Sequence, residues 1–266
     1  MEIIGYIASI LIGISLGLVG SGGSVLTVPV LVYLMNINPL LATTSSLFIV
    51  GSTSLVGGLR AYSKKMVAFK AVIEFGIPSI FSIFITRHYI LPALPSHLFT
   101  IGSIVISKDM FLMIAFAIFM IAASVSMIRH KHKEPPPGQT GKQPARILSF
   151  IALGLFVGVI TGFLGAGGGF LIIPSLVLFL KLPMKISIGT SLFIIGINSL
   201  LGFLFSLNQF EYNWPTLLTV TALAIAGIFI GSRFADKIPG ISLRKGFGWF
   251  ILAMGIYIII KEGFIK

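Results

Sequence analysis

The sequence predicts an all-α polytopic membrane protein built from two inverted-topology repeats, with about ten membrane-embedded helical segments, some of them short, broken or re-entrant. Composition is the first reason. The chain of 266 residues is 56% hydrophobic and 10% charged, with a mean hydropathy of +1.06, far from the composition of soluble domains. The second is that no Asp, Glu, Lys or Arg occurs between Ile3 and Leu59, a run much longer than one bilayer span. The third is an internal repeat.

The repeat relates residues 13–60 to residues 158–205 with a constant offset of 145 and no gap, and 18 of the 48 aligned positions are identical. Each copy centres on a glycine cluster, GLVGSGGSVLTVP at Gly17–Pro29 and GFLGAGGGFLIIP at Gly162–Pro174. A period this long indicates two related halves rather than a solenoid. We therefore expect an N-terminal repeat (1–128), a linker (129–146) and a C-terminal repeat (147–266).

The uncharged segments are predicted to be helices, because lipid admits only helices and closed barrels and the alternation typical of barrel strands is absent. The predicted segments are 3–19, 24–35, 39–59, 67–86 and 110–128 in the first half, and 147–164, 169–180, 184–207, 214–232 and 246–260 in the second. Those that follow the glycine clusters have about a dozen residues, too few to cross a core of about 30 Å upright. The sequence leaves open whether they cross or re-enter.

The charge pattern predicts the orientation in the cell membrane. The linker RHKHKEPPPGQTGKQPAR is rich in proline and basic residues, which is typical of an exposed segment. If it is cytoplasmic, loops 60–70, 181–185 and 233–245 lie on the same side, and these four regions hold 15 of the 19 Lys and Arg residues. The loop around Lys64 and Lys65 is then cytoplasmic, whereas its counterpart in the second repeat, 206–212, has no basic residue and lies on the outer side. Because these corresponding loops face opposite sides, the repeats are predicted to be inverted. The net charge of +12 indicates membrane orientation rather than nucleic-acid binding. Region 88–107 has no counterpart and is expected to be a loop or interfacial element.

The glycine clusters are predicted to bind an anion. Glycines interrupt a helix, and the helix that follows presents unpaired N–H groups at its positive end. Tight helix packing is the alternative role for these glycines. Two such ends, related by the repeat, are expected to face one another across the centre, and the predicted residues are Gly22, Gly23 and Ser24 with Gly167, Gly168 and Gly169.

Polar side chains on the next helix of each half are further candidates. Hydroxyl groups can donate to an oxyanion without placing a positive charge in the membrane, although bonding between or within helices is the alternative. Thr53, Ser54, Asn198 and Ser199 lie one or two turns further along the same helices, and Asn198 is the best candidate of these four because it has no match in the other half, where Thr53 stands. The predicted residues are Thr44, Ser45, Ser46, Thr190, Ser191 and Asn198.

Few charged residues fall within the predicted spans. Glu74 is a candidate for proton coupling, with an i,i+4 ion pair to Lys70 as the alternative. Arg87 and Arg233 are expected to snorkel to headgroups, with ligand binding as the alternative. No nucleotide-binding loop, nucleophile elbow or metal-ligand spacing is visible, and the chain has no cysteine. We therefore expect no enzyme activity, no cofactor and no metal.

The paired motif G-x-x-G-x-G-G-(G/S)-x-x-x-x-x-P, followed after about fifteen residues by S-S-L or T-S-L, resembles that of the TauE/SafE family of sulfite exporters and related anion permeases. The resemblance covers nearly the whole chain. It implies secondary transport of a small sulfur-containing anion, sulfite first, held between the repeats in the lipid bilayer. A permease for another organic anion or sulfonate, and a scaffold without transport, are the alternatives. Coupling ion, flux direction and a homo-oligomer are left open. Ser24 departs from Gly169 of the second copy, so the two half-sites are expected to differ.

Overall fold

The computed structural model describes residues 2–20, 23–95, 97–101, 104–129, 144–165, 169, 172–173, 176, 180, 182–235 and 240–264. In the first half the helices are α1 (Glu2–Val19), α2 (Ser24–Pro29), α3 (Pro39–Ser63), α4 (Phe69–Ile85), α5 (Leu91–Ala93) and α6 (Lys108–Arg129). In the second half they are α7 (Pro144–Leu164), α8 (Met184–Leu204), α9 (Trp214–Ala235) and α10 (Gly240–Phe264).

Two helices continue beyond their α-helical part. A π-helical turn, Val30–Leu34, follows α2 directly, and another, Thr86–Ile90, joins α4 to α5. A single helical stretch of 25 residues therefore runs from Phe69 to Ala93. It extends well past Thr86, where the sequence predicted an end.

Several helices of the described part are apolar enough to enter a membrane. Four have the length to cross it, namely Pro39–Ser63, Phe69–Ala93, Lys185–Gln209 and Trp214–Phe234. Shorter apolar helices are Ile4–Val19, Ser24–Leu34 and Phe150–Leu164. The segment predicted at 169–180 and the linker lie mostly outside the described residues, so the count of ten segments stays a prediction.

Region 88–107 contains the exception to helical structure among the described residues. Strands β1 (His97–Ile101) and β2 (Ile104–Ser107) form an antiparallel pair. The two runs are rich in β-branched and aromatic residues and are separated in sequence by Gly-Ser, a hairpin signal. The prediction of a loop or interfacial element did not specify this hairpin.

The helix packing is preserved when the two halves are exchanged. The offset of 145 relates α1, α3 and α4 to α7, α8 and α9. Helix α1 packs on α9 as α4 packs on α7, and α3 packs on α9 as α4 packs on α8, while α3 pairs with α8 and α6 with α10. The same correspondence holds between residues. A Cβ on Gly13 would lie 1.9 Å from the Ala224 carbonyl oxygen, and one on Gly158 would lie 2.4 Å from that of Ser79.

Helices α3 and α8 form an antiparallel pair between the halves. Gly51 of α3 packs against Leu200, and Gly58 packs against Phe193, so residue numbers rise on one helix as they fall on the other. Small residues allow this close approach of the two backbones. The middle of the crossing therefore lies at Thr53 and Asn198, which are themselves 145 positions apart.

Candidate functional site

Two equivalent glycines end α1 and α7. Gly20 and Gly165 have positive φ angles of 81° and 67°, a conformation that glycine adopts without steric cost. The Gly20 N–H donates to the Leu16 carbonyl at 2.8 Å, and the Gly165 N–H donates to the Thr161 carbonyl at 2.9 Å. Both are left-handed turns that end a helix. These two glycines were not among the predicted site residues, although their recurrence after an apolar helix in both copies was a usable signal.

Each glycine turn packs on a helix of the other half. A Cβ on Gly165 would lie 2.0 Å from the carbonyl oxygen of Thr43 in α3, and one on Gly20 would lie 2.9 Å from Cγ2 of Ile188 in α8. Thr43 and Ile188 are themselves equivalent in the repeat. Residues of both halves thus build each half-site.

The two turns lie near opposite ends of the α3–α8 pair. Thr43 is close to the start of α3 and Ile188 is close to the start of α8. Because the helices are antiparallel, the turns are separated along α3 by roughly 25 Å. The expectation that the helix ends at residues 22–24 and 167–169 face one another across the centre stays a prediction, because Gly22, Gly167 and Gly168 lie outside the described residues. Helices α1 and α7, with 18 and 21 residues, are long enough to carry their turns to opposite ends.

The first half-site, which we call the Arg87 half-site, consists of Thr43, Thr44, Ser46, Arg87 and Gly165. Ser46 Oγ donates to the Gly165 carbonyl at 2.5 Å and lies 2.9 Å from that of Thr43. Arg87 Nη1 donates to Thr44 Oγ1 at 2.7 Å. A hydroxyl and a guanidinium therefore stand beside the glycine turn.

Arg87 does not snorkel. Its side chain is fully buried, with 0% of its surface exposed, and it is directed towards α3. The prediction was wrong because Thr86 is not the end of the helix. The π-helical turn and α5 continue the stretch to Ala93, which keeps Arg87 inside the packed structure. Arg233 by contrast is exposed near the end of α9.

The second half-site, the Ser232 half-site, consists of Gly17, Gly20, Ile188, Ser191 and Ser232. Ser232 occupies the position equivalent to Arg87, and Ser191 is equivalent to Ser46. Ser191 Oγ donates to the Ile188 carbonyl of its own helix at 2.9 Å, the back-bonding that was the alternative for these hydroxyls. Both serines thus contact the carbonyl three residues earlier in their own helix at 2.9 Å, and Ser46 in addition bonds to the glycine turn of the other half.

A crevice of about 260 Å³, including its open mouth, adjoins the Ser232 half-site. Arg60 of α3 reaches into it, donates to Ser232 Oγ, and lies over the ring of Phe229 at 5.6 Å from the ring centroid. The lining residues are Gly17, Val56, Gly57, Arg60, Leu192, Ile228, Phe229 and Ser232.

The predicted glycine-cluster residues are only partly described, since Gly22, Gly167 and Gly168 lie outside the described residues. Gly23 precedes α2, and a Cβ on it would lie 2.5 Å from the Ile12 carbonyl oxygen, so this glycine packs tightly on α1. Ser24 and Gly169 are buried.

The remaining predicted hydroxyls are buried in α3 and α8. Thr190 Oγ1 accepts a hydrogen bond from the Ala68 N–H at 2.9 Å, which ties α8 to the start of α4. Ser45 is buried beside Thr44 and Ser46. Thr190 thus has a structural partner, whereas the hydroxyls of the Arg87 half-site border the glycine turn.

Asn198 lies at the middle of the α3–α8 crossing. Its Nδ2 donates to Ser79 Oγ at 2.6 Å. Its Oδ1 finds no hydrogen-bond partner within the described part of the chain, nor do the buried hydroxyls of Thr53, Ser54 and Ser199. These residues form two equivalent pairs, 53 with 198 and 54 with 199. The level midway between the half-sites is therefore polar and incompletely hydrogen-bonded.

Two of the acids in helices, Glu74 and Glu262, have different surroundings. Glu74 lies 3.6 Å from Lys70, and these side chains are 21% and 84% exposed, the arrangement expected of an i,i+4 pair. Glu262, which the predicted span 246–260 left out, is buried and accepts from Tyr33 Oη at 3.1 Å. Its charged neighbour in sequence, Lys261, gave no signal that Glu262 would be buried.

Comparison with known proteins identifies the family. The model of a family described as "Sulfite exporter TauE/SafE" matches residues 6–258. The chain belongs to the TauE/SafE family. This is a family of membrane transporters, and membership implies a small-anion substrate and a membrane environment.

Relatives of this TauE/SafE chain carry transporter names. A probable membrane transporter protein of Xylella fastidiosa is 25% identical over 252 residues, which cover 94% of this chain and 91% of the relative. The probable membrane transporter protein YunE of Bacillus subtilis is 26% identical over 249 residues, covering 87% and 89%. The probable membrane transporter protein MJ0441 of Methanocaldococcus jannaschii is 32% identical over 113 residues, covering 40% and 42%. No solved structure is significantly similar.

Proposed function

We propose that this TauE/SafE protein is a secondary transporter that exports a small sulfur-containing anion, sulfite in the first place, by alternating access between two inverted repeats. The observation that supports this most strongly is the pair of half-sites, each built from both halves and each near a different end of the α3–α8 pair. A carrier of this kind needs a binding region that the relative movement of two similar halves can open to either side.

The exchange of the halves supports inverted repeats. An axis that interchanges two antiparallel helices, α3 and α8, is perpendicular to them. If these helices cross the bilayer, the axis lies in the membrane plane, and the halves have opposite orientations. The placement of 15 of the 19 Lys and Arg residues in four loops on one predicted side agrees with this arrangement.

The polar level around Asn198 supports movement of an anion between the half-sites. A buried polar atom without a partner costs roughly 1–3 kcal/mol. The groups at Thr53, Ser54, Asn198 and Ser199 that find no partner among the described residues are therefore an unexplained cost in a purely structural core. A passing anion or its water would offer them hydrogen-bond partners. Among these residues, Asn198 is the proposed substrate contact.

The other predicted site residues stay part of the proposal. The glycine clusters at 22–24 and 167–169 follow the Gly20 and Gly165 turns in sequence, and Thr190 is one residue from Ser191. Glu74 is the proposed proton-coupling candidate only if its pair with Lys70 opens during transport, since the closed pair satisfies its charge.

Flux measurements test the proposal. The purified protein is reconstituted into liposomes loaded with radiolabelled sulfite, and efflux is followed with protein-free liposomes as the control. We expect saturable efflux that unlabelled sulfite inhibits more strongly than sulfate, thiosulfate, taurine or acetate. Stronger inhibition by one of the other anions would assign a different substrate. If sulfite does not leave the liposomes, each of the other anions is loaded in labelled form in its place, and absence of flux for all of them would contradict transport and favour a scaffold.

A further inference from the structure

Arg87 is a buried cation with most of its donors unused. Its side chain has 0% of its surface exposed. Nη1 donates to Thr44 Oγ1, but Nε and Nη2 find no hydrogen-bond partner in the part of the chain that the structure describes. Burial of a charge without a partner costs several kcal/mol. The position therefore requires a compensating negative group.

No described acid supplies that charge to Arg87. Glu74 pairs with Lys70, Asp109 accepts from Asn38, and Glu262 accepts from Tyr33. Glu211 is exposed in the loop before α9. The described carboxylates are therefore engaged elsewhere or turned to the surroundings.

Tyr212, which interacts electrostatically with Arg87, does not supply a negative charge either. Burial raises the pKa of Tyr212, in the loop between α8 and α9, to about 12, although the positive charge of Arg87 opposes the shift. Its phenol is thus protonated at neutral pH and donates to the Ser206 carbonyl at 3.0 Å. It cannot act as the counter-ion.

The elements around Arg87 carry further unused donors. The hydroxyls of Thr86, Thr161 and Ser206 are buried and have no partner among the described residues. Thr86 packs against Gly162, and Thr161 lies one turn before Gly165. Hydroxyls and guanidinium N–H groups all donate to oxyanions. Groups able to donate therefore collect around Arg87 without described partners, and an anion site needs such donors.

Thr44 fixes the guanidinium in place. Its Oγ1 accepts from Arg87 and donates to the Leu40 carbonyl at 3.3 Å, so both functions of this hydroxyl are used. Nε and Nη2 lie on one edge of the planar guanidinium, the geometry that binds two oxygens of one anion.

We propose that Arg87 is the charged binding residue of the transported anion, with Nε and Nη2 donating to two oxygens of a small oxyanion in the Arg87 half-site. This inference rests on the proposed anion transport. It gives the half-site a substrate class, oxyanions that present two oxygens on one central atom, and it assigns Thr44 the role of positioning the guanidinium.

Anion binding to the full-length protein in detergent tests the inference, with isothermal titration of sulfite and of the sulfate, thiosulfate, taurine and acetate panel. We expect Arg87→Gln to weaken binding of whichever anion the wild-type protein binds best by at least roughly tenfold, the loss of a charge-assisted hydrogen-bond pair. Arg233→Gln, which removes an exposed arginine, is the matched control and is expected to bind like the wild-type protein.

The outcomes separate this inference from the proposed function. Binding by wild-type protein that Arg87→Gln leaves unchanged would overturn the role of Arg87 and leave anion transport standing. Binding of another panel anion that depends on Arg87 would support the inference while removing sulfite as the substrate. No binding of any panel anion would overturn both. If Arg87→Gln is not monodisperse, Arg87→Lys replaces it; an affinity equal to that of the wild-type protein would then contradict bidentate binding.

Discussion

The Arg87 and Ser232 half-sites share their backbone packing but differ in where the positive charge comes from. In one, Arg87 of the π-helical turn after α4 is fully buried, and two of its nitrogens have no partner among the described residues. In the other, Arg60 of α3 is only partly buried, donates to Ser232 and lies over Phe229. Neither arginine has a charged equivalent, because Ser232 stands in place of Arg87 and Phe205 in place of Arg60.

The aromatic contacts at the two half-sites differ in the same way. Where Arg60 stacks over Phe229, the equivalent residues Phe205 and Phe84 pack ring against ring at 5.0 Å between centroids. Equivalent positions are thus in contact at both half-sites, but one pair is an arginine and a phenylalanine and the other is two phenylalanines. In the proposed transporter an anion would meet a different affinity at each end. Such a difference sets the half-saturation concentration on each side, whereas the direction of net flux follows the gradients.

The largest expected difference concerns the two glycine turns. Gly165→Ala places a Cβ 2.0 Å from the backbone oxygen of Thr43, whereas Gly20→Ala places one 2.9 Å from a movable side-chain atom of Ile188. We expect Gly165→Ala to lower the free energy of unfolding by about 3 kcal/mol or more. We expect Gly20→Ala to lower it by about 1–2 kcal/mol, mainly because alanine is forced into a left-handed backbone conformation.

Unfolding in detergent checks this, with Gly76→Ala as the control. No heavy atom lies within 4 Å of a Cβ on Gly76, and alanine favours a helix, so stability should be unchanged or raised by up to about 1 kcal/mol. Equal losses for Gly165→Ala and Gly20→Ala would contradict the difference between the two turns.

The centre of the α3–α8 crossing offers the next comparison. Asn198→Ala removes the hydrogen bond to Ser79, whereas Thr53→Val removes a buried hydroxyl that has no described partner. We expect Asn198→Ala to cost about 1–2 kcal/mol of unfolding free energy, and Thr53→Val to be neutral or stabilising. Thermal unfolding of both variants measures this, and a costly Thr53→Val would show that the hydroxyl has a partner.

A smaller effect is expected at the equivalent serines. Ser46 bonds to Gly165 of the other half, whereas the bond that Ser191 donates to a described residue lies within its own helix. Ser46→Ala should therefore cost about 1 kcal/mol and Ser191→Ala less than about 0.5 kcal/mol. The denaturant midpoints of the two variants are compared. A larger loss of stability in Ser191→Ala than in Ser46→Ala would contradict a stabilising bond between α3 and the Gly165 turn.

The smallest effect is expected at Glu74, whose repeat equivalent is the uncharged Thr219. Because its partner Lys70 is 84% exposed, Glu74→Gln should change the unfolding free energy by at most about 0.5 kcal/mol. If Glu74 only pairs with Lys70, the pH dependence of sulfite flux should equal that of the control Glu211→Gln. A pH dependence lost only in Glu74→Gln would instead establish proton coupling.

The sequence predicted the positions of several helices better than the depth of individual side chains. Uncharged runs located α1, α3 and α8, and the close contacts of Gly13 and Gly158 recur at the offset of 145 found in the sequence. It could not place Arg87, because Thr86-Arg87-His88 looks like the polar end of a span and its burial depends on packing against α3. Glu262 was missed for a related reason, since its partner Tyr33 is 229 residues away in sequence.

Access to the two half-sites tests the central claim most directly. The chain has no cysteine, so Ser46→Cys and Ser191→Cys each introduce a single thiol at equivalent buried positions. In oriented vesicles, a membrane-impermeant thiol reagent should label the Ser46→Cys protein from one side and the Ser191→Cys protein from the other, and sulfite should change both rates. Labelling of both variants from the same side, or rates that sulfite leaves unchanged, would contradict alternating access between the half-sites.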